Sequence, residues 1–127
     1  MREIKFRAWL KEKKIMGEVL GIDILHKEIF FSNEDVDCYE HTDFKNIELM
    51  QYTGLKDMKE KEIYEGDILF ESFREKYYKV IFENGSFRAE FEGDFEEYSF
   101  DLIDVVAQGY EVVGNIYQNP ELLGASQ

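Results

Sequence analysis

Cys38 and His41 stand three residues apart in an acidic stretch that also holds Asp35, Asp37 and Asp43, with His26 upstream. Thiolate, imidazole and carboxylate are the side chains that ligate metals or pair a nucleophile with its base. Ligand arithmetic argues against structural zinc, which takes four nitrogen or sulfur ligands, because the chain has one cysteine and two histidines. A calcium loop is also missing its glycine and terminal glutamate. For nucleophilic catalysis, Cys38 and His41 lack a third, orienting group, and no Gly-x-Ser-x-Gly surrounds any serine. The carboxylates of Glu34-Asp35-x-Asp37, Asp94-x-Glu96-Glu97 and Asp101-x-x-Asp104 are plentiful. Acid–base chemistry needs two of them in a cleft, in unlike environments. Gly54 and Gly66 are isolated, so no phosphate cradle is present. The reading is a non-enzyme with solvated acidic loops, and no metal or cofactor is expected.

Two further groups of residues have the chemistry of recognition. Lys5, Arg7 and Trp9 alternate with Ile4, Phe6, Ala8 and Leu10, so they share one face of a strand. Cations flanking an aromatic ring can grip a single nucleic-acid strand. The plainer reading is an edge strand guarded by charge, with Trp9 covering a core. Tyr64 and Tyr117 precede Glu65-Gly66-Asp67 and Gln118-Asn119 and are placed to line a groove. Core or interface filling is the commoner use of such rings.

Charge weighs against nucleic acid as the principal partner. Residues 1–14 carry six basic and two acidic groups, a net of +4, while the rest carries nine and twenty-six, a net of −17. Phosphate approach depends on displaced counterions, which an acidic surface does not supply. The polarity favours docking of a basic edge on an acidic face, in a second copy or another protein. An acidic decoy that occupies a host nucleic-acid-binding protein is an alternative, as is weak nucleic-acid binding through the first strand. A single cysteine fits a reducing, cytoplasmic setting. No apolar run is long enough for a membrane span or a signal peptide.

These residues need elements to hold them, and strands dominate. With 127 residues, eleven Phe and eight Tyr, the chain has enough apolar surface for one compact unit. Period-two runs predict strands over Ile4–Leu10, Ile15–Val19, Leu20–Ile24, Ile29–Phe31 and Ile47–Leu55. Residues 32–46 are polar and read as a surface loop, with room for one helical turn, dividing an N-terminal sheet from the remainder. Asn84-Gly85 between Tyr77–Glu83 and Ser86–Phe91 is a hairpin, since a type I′ turn needs positive φ twice. Phe100–Ala107 is open between two readings, since Leu102, Ile103 and Val106 suit a helix and its β-branched residues a strand. A short helix ending at Gly109 is favoured, with Tyr110–Tyr117 a last strand bulged at Gly114. The expected class is mostly β with few short helices. An SH3-like partly open barrel is expected in residues 56–127, strands spanning about 61–120, with residues 1–55 as an N-terminal β segment packing on it.

Three blocks, KFRAW (Lys5–Trp9), LMQYTGLKD with EIYEGDIL (Leu49–Leu69) and GNIYQNPELL (Gly114–Leu123), resemble the YopX family. The family commonly carries an Asn-Gly turn between the two central blocks, where this chain has Met58-Lys59-Glu60. The resemblance implies a small mostly-β protein of phage or prophage origin, a bacterial cytoplasm and self-association, so a homo-oligomer or a complex with a host or phage protein is expected. It brings no established activity and no site residues.

Overall fold

The computed structural model, which describes residues 3–32, 39–92 and 97–124, holds eleven strands, most of them alternating apolar and polar residues. In chain order they are β1 (Phe6–Leu10), β2 (Ile15–Asp23), β3 (Glu28–Ser32), β4 (Tyr39–Asp43), β5 (Ile47–Lys56), β6 (Glu62–Tyr64), β7 (Asp67–Glu71), β8 (Lys76–Glu83), β9 (Ser86–Glu92), β10 (Glu97–Asp101) and β11 (Glu111–Asn115). Two short helices, α1 (Leu102–Ala107) and α2 (Glu121–Gly124), complete it. One sheet has the order β4-β3-β2-β1-β5-β6 and the other β10-β9-β8-β7-β11. The class is mostly β, as expected. Both sheets are open, with β10 and β11 as the two edges of the second, so the strand order shows no barrel closure.

The chain divides into two units, Met1–Tyr52 and Thr53–Gln127, with the boundary inside β5. In the first, Ala8 and Leu10 from β1 pack with Ile29, Phe31 and Ile47, and Ile15, Val19 and Phe44 lean against them. Gly17 makes this packing possible, because a Cβ there would stand 3.1 Å from the Phe31 ring and 3.2 Å from Leu10. Two expectations are corrected. β1 lies between β2 and β5, bonded on both sides, so it is an interior strand and not a charged edge. The segment read as a loop holds β4, paired with β3 from Glu28↔Asp43 to Ser32↔Tyr39, then a turn of 3₁₀ helix at Phe44–Asn46. Residues 33–38 of that segment lie outside the described residues.

The second unit has the larger core, in which Ile63, Leu69, Tyr78, Val80 and Ala89 meet Leu102 and Val105 of α1. Full burial of a side chain such as Leu69 contributes roughly 2 kcal/mol. Asn84 and Gly85, at φ 53° and 83°, form the tight β8–β9 turn the sequence predicts. The helix also stands where expected, although Phe100 and Asp101 still belong to β10. Gly109 reverses the chain at φ 83°, and the β11 register shifts between Val112 and Gly114, at the anticipated bulge.

Candidate binding cavity

The turn that ends β7 is built by one carboxylate. Glu71 accepts the Phe73 N–H at 2.8 Å and the Arg74 N–H at 2.9 Å, and Glu75 closes the turn at φ 55°. Phe73 and Arg74 are thereby presented at the mouth of a cavity of about 480 Å³. Its second wall is Phe100, at the end of β10. That strand is clamped to β9 by Arg88, whose Nε donates to Ser99 Oγ at 2.8 Å and whose Nη1 donates to Asp101 at 2.6 Å. Its third wall comes from α1, through buried Val105 and the capping residue Gln108, followed by Tyr110. Three separate stretches of chain therefore meet there.

Aromatic packing stiffens the back of the cavity. The fully buried Tyr78 ring lies 5.2 Å from Tyr110, 5.7 Å from Phe91 and 6.3 Å from Phe100, in tilted arrangements favoured by ring quadrupoles. Its hydroxyl has no hydrogen-bond partner of good geometry among the described residues. Burial pushes the phenol far up, with the neighbouring Tyr98 and Tyr110 adding to the shift, so Tyr78 stays protonated. The Lys76 ammonium lies 4.4 Å from the Phe91 ring centroid and 3.4 Å from the Tyr98 hydroxyl.

Cations of this unit are mostly engaged. Lys59 pairs with Glu111 at 2.9 Å, Lys79 with Glu90 at 3.3 Å and Arg88 with Asp101. The Arg74 guanidinium, like the Lys56 and Lys61 ammonium groups, forms no ion pair among the described residues, and of these three only Arg74 lines the cavity. The cavity lining mixes apolar and polar groups, and an Arg fork has the geometry to meet a planar anion.

None of the residues singled out from sequence lines this cavity. Lys5 is half-buried and is taken by Glu3 at 3.2 Å and the Tyr52 ring at 5.0 Å. Lys5 immediately precedes β1, whose Arg7 and Trp9 alternate in step with it and are also half-buried. Tyr64, on β6, donates its backbone N–H to Asp67 at 2.7 Å, and Tyr117 donates its own to Asn115 at 3.0 Å. Both rings are half-buried. His41 lies 3.1 Å from Glu28, while Cys38, and so the Cys38–His41 pair, is outside the described residues. The same holds for Asp35, Asp37, Asp94 and Glu96. Among the described residues no three His, Cys, Asp or Glu side chains gather as metal ligands. His26 and Asp23 form an exposed pair at 2.7 Å, which raises the histidine pKa and lowers that of the aspartate.

The family-like blocks turn out to hold turns. Buried Asp57 accepts the N–H groups of Lys59 (2.8 Å), Lys61 (2.9 Å) and Val112 (2.9 Å). Burial alone raises its carboxyl, but the three donors and the nearby Lys61 charge together outweigh that and hold it below the usual value. Glu60, at φ 65°, takes the left-handed position in this turn, where the family commonly has Asn-Gly. Thr53 Oγ1 donates to the Ile63 carbonyl at 2.7 Å. Asn115 accepts the N–H groups of Tyr117 and Gln118, while Asn119 reaches back to within 3.2 Å of the Asn115 N–H. Only glycine fits at position 114, because an added Cβ would meet Asn119 atoms at 2.5 to 2.9 Å.

No curated protein matches the chain. Among solved structures it is similar to the crystal structure of protein EF1440 from Enterococcus faecalis, at 29% identity and a TM-score of 0.69. That likeness covers 97% of this chain and 99% of the other. The family model described as YopX protein matches residues 5–124, nearly the whole length and all three blocks, and the chain therefore belongs to the YopX family.

Proposed function

We propose that this protein is a non-enzymatic β module, of phage or prophage origin, that acts in a bacterial cytoplasm by contacting other protein chains, first among them copies of itself. The observation that carries the reading is the β2–β3 hairpin. Leu20, Ile22, Ile24 and Leu25 hold 55%, 37%, 79% and 84% of their surface in water, with Phe30 half-exposed across the strand pair. Scattered exposed apolar residues are ordinary, but four within six positions of one hairpin concentrate apolar surface that water disfavours. Charge favours a second copy meeting at this place. The first unit carries eight basic and eleven acidic residues, a net of −3, against seven and seventeen, a net of −10, in the second. Like-charge repulsion between copies is therefore weakest where the apolar patch lies.

Size-exclusion chromatography with light scattering, from low to high micromolar protein and at two salt concentrations, tests the proposal. The expected result is a concentration-dependent dimer or larger species that salt strengthens by screening the acidic charge. It should be lost in the double variant Ile24→Asp/Leu25→Asp. A monomer at every concentration and salt would end this reading.

A further inference from the structure

We infer that the cavity of the second unit binds a ligand bearing a single carboxylate next to an apolar group, with Arg74 holding the carboxylate and Phe73 and Phe100 enclosing the apolar part. Three independent observations converge on it. First, Phe73 keeps 92% of its surface in water on a turn whose backbone N–H groups are held by Glu71, so the chain places a large unburied ring on the cavity lining. An aromatic held open at the mouth of a cavity gains its burial when something enters. Second, the Arg74 guanidinium makes no ion pair among the described residues, in a unit where acidic side chains outnumber basic ones by ten. Five N–H donors in a planar fork match a carboxylate. Third, Gln108 also lines the cavity, and no side-chain hydrogen bond occupies its amide among the described residues.

The surroundings narrow the class of anion. Glu71 is also at this cavity, and although its two oxygens already accept backbone N–H groups, its negative charge remains. With that charge close to Arg74 and a net of −10 on the unit, a polyanion such as a nucleotide would be repelled more than it is attracted. A monoanion with an apolar body gains from both the fork and the rings. Two sources share this chemistry: a free small carboxylic acid, and the last residue of a polypeptide ending in an apolar side chain. This inference is independent of self-association through the β2–β3 hairpin.

The test is an NMR titration of the full chain, following the Val105 methyl and Gln108 side-chain amide signals. The probes are 4-phenylbutyrate and its neutral amide, then acetyl-Gly-Gly-Phe with a free carboxylate and its C-terminal amide. Both acids should shift these signals with about millimolar affinity, and each amide should bind about tenfold more weakly. Arg74→Gln should erase the difference between acid and amide, while Phe73→Ala should weaken both alike. Raising salt should shrink the acid's advantage in the unsubstituted chain, a readout that does not depend on either variant folding. Tighter binding of the peptide acid identifies a chain end as the source, and tighter binding of 4-phenylbutyrate a free small molecule. No shift from either acid at about 10 mM, or equal binding of acids and amides, overturns the inference.

Discussion

The two units solve the problem of a small β core differently. In Met1–Tyr52 a handful of aliphatic and aromatic residues on one face of β1–β3 and β5 form the core, and the β2–β3 hairpin leaves Ile24 and Leu25 in water. In Thr53–Gln127 the core is twice as populous and α1 contributes to it. The buried polar residues Thr53, Asp57, Asp67 and Asn115 all belong to the second unit. Each accepts or donates a backbone hydrogen bond that fixes a turn. A buried polar group left unmatched is costly, so such groups specify one arrangement of chain where an apolar core alone tolerates several. The second unit is thus a framework with its turns locked, and the first a sheet with apolar surface to offer.

Breaking the locks should have the largest effect. Asp57→Ala strands three backbone donors, and a loss of about 3 kcal/mol or more is expected in urea unfolding followed by aromatic fluorescence. A loss below about 1 kcal/mol would mean that Asp57 is not the anchor of this unit. The pH dependence has a definite sign. Because the folded-state carboxyl of Asp57 is held below its ordinary value, its contribution is complete above the unfolded pKa of about 3.9 and fades as pH falls through the folded value. The stability gap between the unsubstituted chain and Asp57→Ala should accordingly narrow on acidification and stay constant from pH 5 to pH 7, roughly. Melting curves at several pH values decide it.

Gly114→Ala comes next. The new methyl group must displace Asn119 from the Asn115 N–H, for a loss of about 2 kcal/mol. Pairing it with Asn119→Gly removes the clash, so the double variant should recover part of the loss. Smaller again is Tyr78→Phe, which deletes a buried hydroxyl that lacks a well-formed hydrogen bond. A change within about 1 kcal/mol, on the stabilising side, is expected, and a large loss would show that the hydroxyl is in fact bonded. Smallest of all should be Ile24→Asp/Leu25→Asp, within about 0.5 kcal/mol, since both side chains are already in water. A collapse of that variant would show the hairpin tip to be part of a core, and the contrast between the units would fail.

Legibility in the sequence followed the range of the forces involved. The Asn84-Gly85 turn and the Gly114 bulge rest on constraints within a few residues, so they can be read directly, whereas the apolar residues of Phe100–Ala107 suit helix and strand alike and packing decides for α1. β4 is hidden because Tyr39–Asp43 carries almost no apolar alternation, and an outer strand bonded on one side needs little. The placement of Lys5, Arg7 and Trp9 on an interior strand depends on β5 pairing some forty residues away, from Phe6↔Gln51 to Leu10↔Ile47. Asp57 resembles any solvated acid in the run Lys56–Lys61, and nothing local announces that Val112 will donate to it. The cavity escapes for the same reason, being assembled from residues near 71–74, 100–105 and 108–110.

Gly66 shows what such distant pairings mean during synthesis. Its N–H donates to the Val80 carbonyl at 2.8 Å, and its own carbonyl accepts the Ile116 N–H at 2.9 Å. One peptide plane thus waits for a partner fifty residues downstream, as Asp57 waits for Val112. On a translating ribosome, the β1–β4 and β7–β10 meanders can pair as they emerge, whereas the Asp57 turn and the Gly66 carbonyl stay unlatched until β11 follows. Early termination before residue 112 would release a chain whose hairpins are knitted but whose Asp57 and Gly66 turns have lost their fastenings.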